Sequence, residues 1–470
     1  MVERLGVVVL AAGQGQRMRS RCPKILHPVA GRPMVAYVLE AARALAPQRL
    51  VVVASPHTRE PMRRLCAPTV AIVLQETPRG TGDAVRQAAP ALQGVETVLV
   101  LYGDSPLIRP ETLSALLAQH RASGGVVTLL TAVLDDPTGY GRVLRGPAGA
   151  VLGVVEETEA TPDQRAIGEV NTGFCCFRAD WLWTALPRLR PHPTGEYYLT
   201  DLVGLAVQDG QSVAALVAPD PAEVRGINDR VELAAAERRL RDRVRLALMR
   251  QGVTLVDPAS TFIDSTVTIG PDTVVYPFTI IEGETVIGAG CRIGPGSHIV
   301  ASRIGDGCAV VHSVVEEATL EENVRVGPFA HLRPGTYLER EVVVGNYAEV
   351  KNARVGRASK IQHFSYTGDA TIGARVNIGA GTITCNFNSE TGEKHRTTVG
   401  DDAALGSDTL LVAPVAVGPG AMTGAGAVVT RDVPAGHLAL GVPARVVRPV
   451  RRRPPADASG SPEEGTPKPC

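Results

Sequence analysis

The sequence predicts two folded units in series: an α/β domain on a mostly parallel, Rossmann-like sheet, then a parallel β-helix of hexapeptide repeats. Three observations predict it. The chain has 470 residues, 44% of them hydrophobic, more than one core usually organises. Its first half alternates strand-length Val/Leu runs with amphipathic segments. Its second half repeats an aliphatic residue at every sixth position.

In the first half the strand-length runs are Leu5 to Leu10, Leu50 to Ala54, Thr97 to Leu101 and Val126 to Val133, and the amphipathic segments are Met34 to Leu45 and Glu111 to Arg121. Continuous apolar runs between helices belong to strands covered on both faces, the pattern of a parallel sheet. Ligands of such sheets sit beyond the carboxyl ends of the strands. From Asn228 to Gly252, Leu233, Leu240, Val244 and Leu248 form one stripe among Arg, Glu and Asp. That is a helix, which either links the units or packs last on the first. The expected division is 1–228 for the first domain, 229–251 for the linking helix and 252–448 for the β-helix. The tail, 449–470, has too little apolar content to fold and is expected to be disordered.

In the second half Ile269, Val275, Ile281, Ile287, Ile293 and Ile299 are each six apart, and the count resumes at Leu320, Val326, Leu332, Leu338, Val344 and Val350. Further runs are Val355 and Ile361, Ile372 and Ile378, then Val399, Leu405, Leu411 and Val417. A helix repeats its apolar positions at three and four, and a half-buried strand at two. A period of six is a short strand plus a turn, and three such repeats close one triangular coil with its aliphatic residues stacked inside. Gly, Asn and Asp supply the tight corners. The widest phase break lies between Thr384 and Val399, so Cys385 to Arg396 is expected to leave the prism as a loop.

Lys+Arg and Asp+Glu both total 48, so no global field draws the chain to nucleic acid or an anionic membrane, and any anion site is local. The eight cysteines are scattered, contain no C-x-x-C pair and follow no signal peptide, which predicts reduced thiols in a cytoplasmic protein. No apolar run approaches the ~18 residues of a membrane-spanning helix.

The first strand leads into Ala11, Ala12, Gly13, Gln14, Gly15, Gln16, Arg17 and Met18, then Pro23 and Lys24. Small residues let backbone N–H groups approach a phosphate, and Arg17 and Lys24 add charge; the loop reads as an anion cradle. A dinucleotide-binding loop would carry a third glycine where Met18 stands and an acid where Ser55 stands, and the P-loop pattern is absent. A turn serving packing alone is the bland alternative. Asp104, at the carboxyl end of a strand, suits either Mg²⁺ or a turn cap.

The spacing of Leu10, Gly13, Gly15, Arg17, Met18, Pro23 and Lys24 resembles the sugar nucleotidyltransferase family. So do Gln75, Gly80-Thr81-Gly82, Tyr102-Gly103-Asp104, Gly139-Tyr140-Gly141-Arg142, Glu156, Asn171-Thr172-Gly173 and Gly226-Ile227-Asn228. The resemblance implies that Asp104 and Asn228 hold Mg²⁺, that Gln75, Gly80 and Thr81 read uracil, and that Gly141, Glu156 and Asn171 hold a sugar. Leu10, Ala11, Ala12, Gly13, Arg17, Lys24, Tyr102 and Gly103 would complete the cradle. The implied reaction is attack of a sugar-1-phosphate oxygen on the α-phosphorus of UTP with loss of pyrophosphate. The protein's part is then charge neutralisation and alignment.

In the β-helix the informative residues are polar ones that interrupt the repeat: Arg333, Lys351, His363, Tyr366, Asn377 and Asn386. A lone histidine is more often a surface or core residue than a catalyst. His363 differs by its company, because a neutral imidazole can take the proton an amine loses on attacking a thioester while Arg333 and Lys351 hold a phosphate.

Through Pro443 the chain resembles the bacterial family of bifunctional N-acetylglucosamine-1-phosphate uridylyltransferases and glucosamine-1-phosphate N-acetyltransferases. GEYYLTD (195–201), GPFAHLRPG, VNIGAGTITCNFN and GSDTLLVAP carry the likeness. It implies a left-handed β-helix with His363 as general base and Arg333, Lys351, Tyr366 and Asn377, with Asn386, binding the amino sugar phosphate. Ala380, Asn386, Phe387, Ser407 and Ala425 would meet acetyl-CoA. It also implies a homotrimer with acetyl sites between subunits.

Three places depart from the family pattern: Phe387 where Tyr is common, His331 where Arg often stands, and Leu440 to Arg445, which leaves Arg445 as the candidate CoA arginine. The function implied is acetylation of glucosamine-1-phosphate, then uridylylation to UDP-N-acetylglucosamine for peptidoglycan and lipid A precursors, with Mg²⁺, UTP, sugar-1-phosphates and acetyl-CoA as small-molecule partners. The alternative is a single-activity nucleotidyltransferase with a structural or regulatory β-helix. A scaffold has no need of His363, Arg333 and Lys351 together.

Overall fold

The computed structural model describes residues 4–451, so most of the tail expected at 449–470 lies outside the described residues. The chain divides into two compact units, Met1–Arg243 and Val244–Cys470. The division falls inside the charged helix, between the boundaries expected at 228 and 252.

The first unit is a twisted sheet with an apolar layer on each face. Its principal strands are β1 (Leu5–Ala11), β2 (Arg49–Ala54), β3 (Ala71–Leu74), β4 (Thr97–Tyr102), β5 (Val127–Val133), β6 (Arg142–Arg145), β7 (Val151–Val155), β8 (Glu169–Arg178) and β9 (Val213–Val217). The order across the sheet is β9-β5-β8-β4-β1-β2-β3, with the β6–β7 hairpin joined to β8. β1 pairs in parallel with both β2 and β4, whereas β8 runs antiparallel to β4 and β5. Alternate residues feed opposite layers: Val7, Val9 and Leu99 lie in one core, and Val8, Val98 and Val100 in the other.

Four helices position the site: α1 (Met34–Ala44), α2 (Pro56–Leu65), α3 (Thr81–Ala88) and α4 (Pro110–Ser123). Ser55, standing where a dinucleotide loop would need an acid, caps α2 in a reciprocal bond pattern with Thr58. The order changes direction at β1, since β2 and β3 lie on one side and β4 on the other. The loops after β1 and β4 therefore frame the crevice where such sheets hold ligands. α5 (Arg230–Arg250) places Ala236 and Leu240 on the first unit's core and Leu248 on the second's.

The second unit is a left-handed parallel β-helix with three faces, each a ladder of two- or three-residue parallel strands. Val275, Ile293, Val310, Val326, Val344, Ile361, Ile378 and Leu405 climb the first face, and Ile281, Ile299, Val315, Leu332 and Val350 the second. All are at most 3% exposed, so each stabilises the stack by roughly 1.5–3 kcal/mol. The period slips because some turns are one residue short. Ile299 to Ile304 and Val350 to Val355 are steps of five. Three inward positions carry Thr367, Thr384 and Thr423 in place of an aliphatic residue, and the Thr384 hydroxyl donates to the Gly368 carbonyl at 2.9 Å.

The segment after Cys385 leaves the prism, one residue later than expected because Cys385 still pairs with Val412, turns at Asn388 with Phe387 opposite Lys394, and returns at Thr397–Val399. At the end, His437–Gly441 and Ala444–Pro449 form an antiparallel hairpin on the first face. That last strand carries one residue past the boundary expected at 448. Among the described residues no helix is long and apolar enough to cross a membrane.

Candidate active site

In the first unit two adjoining cavities open at the carboxyl ends of β1 and β4. One, of about 580 Å³, is lined by the loop from Leu10 to Arg17 (Ala11 excepted) and by Lys24, Gln75, Gly80, Thr81, Tyr102, Asp104, Glu196, Tyr198 and Asn228, among others. The other, about 540 Å³, takes in Gly141, Glu156, Asn171 and Thr200 and shares Thr81, Tyr102 and Tyr198 with the first.

Of the residues expected here, Ala11 and Gly103 do not line the cavities. Ala11 accepts a bond from the Thr58 hydroxyl at 3.2 Å and Gly103 donates to the Leu10 carbonyl at 2.9 Å, so both hold the walls.

Gly15 explains how the loop closes. It has φ +62°, and a Cβ there would overlap Lys24 Cβ, so only glycine lets Lys24 pack against the turn. The Lys24 ammonium in turn donates to Asp104 Oδ2 and, at 3.1 Å, to Asn228 Oδ1. Asn228 is brought there by its neighbour Ile227, whose N–H bonds the Asp104 carbonyl at 2.9 Å. Two hard oxygens, one charged, thus already converge on a cation. Among the described residues no group of three or more His, Cys, Asp or Glu could hold a metal ion. A cation held by Asp104 and Asn228 must complete its shell from water and phosphate, which fits Mg²⁺.

The second cavity is tied together by backbone. Asn171 N–H donates to the Gly141 carbonyl at 2.8 Å, and the Asn171 side-chain oxygen accepts from Gly173 at 3.2 Å. Burial pushes the Glu156 carboxyl above its ordinary range, with a 3.3 Å bond from the Thr200 hydroxyl opposing it. Burial likewise raises Tyr102, whose ring meets Phe174 edge-on at 6.1 Å.

Sequence reasoning missed Glu196, Tyr198 and Thr200 as lining residues, although the string that contains them was noticed. They are held in place from outside the string. Leu199 N–H donates to the Thr81 hydroxyl at 3.0 Å, and His192 stacks on Tyr198 at 4.1 Å while bonding Asp201 at 2.9 Å.

In the second unit the expected residues fall on two faces and the corner between them. Arg333 follows the second-face strand His331–Leu332 and its N–H donates at 2.8 Å to the carbonyl of Val350, the residue before Lys351 on the adjacent strand, and Tyr366 lies on the next strand. Arg333 is ion-paired with Glu349 at 2.8 Å. Tyr366 lies across Gly368, where a Cβ would come within 2.8 Å of the ring's Cε1. Asn377 stands instead on the first face.

His363, exposed, occupies the corner between these faces, two residues past inward Ile361. Ala380, Ser407 and Ala425 occupy the same corner position, two past Ile378, Leu405 and Thr423, on successive coils. Backbone bonds tie the column: Gly381 N–H to His363 O at 3.2 Å, Asp408 N–H to Ala380 O at 2.6 Å, and Gly426 N–H to Ser407 O at 2.8 Å. The structure therefore aligns His363 with three of the residues expected to meet acetyl-CoA.

Asp369 was not foreseen. It is 7% exposed and accepts from Asn352 Nδ2 at 2.6 Å and from Asn386 Nδ2. Burial works to raise its pKa, but the two amides, with Lys394 and Lys351 nearby, outweigh it and hold the carboxyl below its ordinary value. Asn386 also reaches Tyr366 Oη at 3.5 Å. Phe387 is exposed at the start of the excursion.

Residues 7–165 match the MobA-like NTP transferase domain family, and residues 266–301 match the bacterial transferase hexapeptide family of six repeats. Over nearly its whole length the chain is similar to curated proteins named bifunctional protein GlmU. It is 49% identical to that of Heliobacterium modesticaldum over 435 residues, 92% of this chain and 94% of the relative. It is 51% identical to that of Alkalilimnicola ehrlichii over 437 residues, 92% and 93% of the two chains. With that of Pelobacter propionicus the identity is 48% over 444 residues, 93% and 96% of the two.

Proposed function

We infer the chemistry from one premise: this chain belongs to the family of bifunctional GlmU proteins. It is a bifunctional transferase of UDP-N-acetylglucosamine synthesis, acetylating glucosamine-1-phosphate and then transferring a uridylyl group to the product, in supply of cell-wall precursors. The observation that carries this reading is the presence on one chain of a nucleotide-type crevice around Lys24, Asp104 and Asn228 and a separate corner column starting at His363.

On the β-helix, the amine of glucosamine-1-phosphate attacks the acetyl carbonyl of acetyl-CoA, the C–S bond breaks, and CoA leaves as the thiolate. His363 takes the proton the amine sheds. Arg333 and Lys351, neighbours on one face, hold the sugar phosphate, and Tyr366, Asn377 and Asn386 orient the ring. The backbone of the Ala380, Ser407 and Ala425 column, with Phe387 and Arg445, carries the CoA arm.

In the crevice, a phosphate oxygen of N-acetylglucosamine-1-phosphate attacks the α-phosphorus of UTP and pyrophosphate departs. Asp104 and Asn228 would hold Mg²⁺, which when bound would supply positive charge against the phosphates. Arg17 and the Gly13–Gly15 backbone receive the phosphates, Lys24 adds a fixed charge, Gln75, Gly80 and Thr81 hold the base, and Glu156, Asn171 and Gly141 hold the sugar. We place the protein in the cytoplasm, where UTP and acetyl-CoA are made. We also assign it a homotrimer, in which a neighbouring prism packs against the corner that carries His363.

The test uses the full chain and two assays: thiol release from acetyl-CoA with glucosamine-1-phosphate, and pyrophosphate release from UTP with N-acetylglucosamine-1-phosphate. His363→Ala should lower thiol release by roughly 10²–10⁴-fold and leave pyrophosphate release unchanged. Loss of both activities, or of neither, refutes the assignment.

A further inference from the structure

The base-reading residue Gln75 is itself held by an unassigned carboxylate. Asp83, in the first turn of α3, is buried at 7% exposure, and Gln75 is buried at 5%. Gln75 Nε2 donates to Asp83 Oδ2 at 2.8 Å and to the Gly80 carbonyl at 3.0 Å. A carboxylate and a peptide carbonyl accept only, so the amide cannot turn over without setting oxygen against oxygen at both contacts.

With both amide protons committed, what Gln75 can offer the 580 Å³ cavity it lines is the lone pairs of its carbonyl oxygen. Such an acceptor is matched by a ring N–H. Uracil has that group between its two carbonyls, whereas cytosine presents a bare nitrogen lone pair at the same ring position.

We propose that Asp83 is a positioning residue for base selection: by fixing the Gln75 amide it commits the crevice to an imide-bearing pyrimidine and against cytosine. The proposal rests on the uridylyl-transfer reading and deepens it. Asp83 touches no substrate in this scheme and acts through Gln75 alone.

The experiment compares UTP with CTP as substrates of the full-length protein and of Asp83→Asn, by pyrophosphate release with N-acetylglucosamine-1-phosphate. An asparagine of the same shape can donate to the oxygen of a turned Gln75 amide, removing one of the two oxygen–oxygen oppositions and freeing an N–H for the cavity. The wild-type protein should prefer UTP in kcat/KM by at least roughly 100-fold, since the wrong base leaves a buried acceptor unpaired. Asp83→Asn should narrow that ratio by about tenfold, the worth of one hydrogen bond.

A variant whose UTP and CTP rates fall together, keeping the ratio, overturns the proposal and leaves Asp83 a structural residue. A wild-type protein that does not use UTP at all fails the underlying reading instead. Should Asp83→Asn not fold, the side-chain NH₂ of Gln75 in the ¹⁵N-labelled wild-type protein decides. It should be protected from exchange before nucleotide is added and stay so with UTP; an NH₂ that exchanges freely until UTP binds overturns the proposal.

Discussion

Substituting Gly15 by Ala tests how far uridylyl transfer depends on the placement of Lys24. The residue has φ +62°, a region that costs an L-residue roughly 1–2 kcal/mol. The new Cβ would also overlap Lys24 Cβ and sit 3.3 Å from Cγ and 3.4 Å from Cα. The side chain has to retreat by about 1 Å to restore ordinary van der Waals separation. Such a displacement of a group that aligns reacting atoms can cost about 100-fold in rate. The ammonium would also leave Asp104 and Asn228, whose oxygens it now joins. Pyrophosphate release at saturating UTP and sugar phosphate should therefore fall about 100-fold, while the strain alone lowers the melting temperature by only a few °C, at roughly 2–4 °C per kcal/mol. Thiol release should not change. A Gly15→Ala protein with wild-type kcat would refute the idea that the turn exists to seat Lys24, and an equal loss in both assays would show global damage instead.

Two further outcomes follow from the carboxylates. Burial raises the Glu156 carboxyl, so its protonated form is favoured in the fold. Its contribution to stability is complete below the unfolded value near ~4.3 and is lost as pH rises through the folded value. Glu156→Gln should melt higher than wild type, on the order of 2 °C at pH 8, with the gain vanishing by pH 4, and should raise KM for the sugar phosphate; a gain independent of pH would contradict this. Asp369→Ala leaves the Asn352 and Asn386 amides without their carboxylate, each unmet buried donor costing about 1–3 kcal/mol. Thiol release should drop about tenfold or more while pyrophosphate release persists, and a protein unchanged in melting and thiol release would refute the role.

The β-helix was legible because its signal is periodic. A count of six finds the inward row whichever residues surround it, and Val326, Leu332, Leu338, Val344 and Val350 are all buried as that count requires. The count slips where a turn is one residue short, as from Ile299 to Ile304, and is masked where inward positions carry Thr367, Thr384 and Thr423. The crevice was legible for a different reason. Its glycine-rich loop follows β1 and Gly103-Asp104 follows β4, so motif and topology point to the same place.

What stayed hidden are the groups that hold functional side chains without touching a ligand. They leave no local motif, since their partners are near in space at separations a short window does not scan. Asn352 to Asp369 and Asp369 to Asn386 are each 17 residues apart, and so are His363 and Ala380. Seventeen is one coil of the prism where a turn is shortened. The period that reveals this second site is therefore the coil and not the hexapeptide: residues one coil apart stand over one another, as Arg333 stands beside Lys351 at a separation of one full coil. Read at that interval, a histidine, an alanine, a serine and an alanine with no common motif become one column. The interruption between Ala380 and Ser407 is the Asn386 to Arg396 excursion, which carries Asn386 to Asp369. The loop that breaks the repeat thus belongs to the same site as the repeat it breaks.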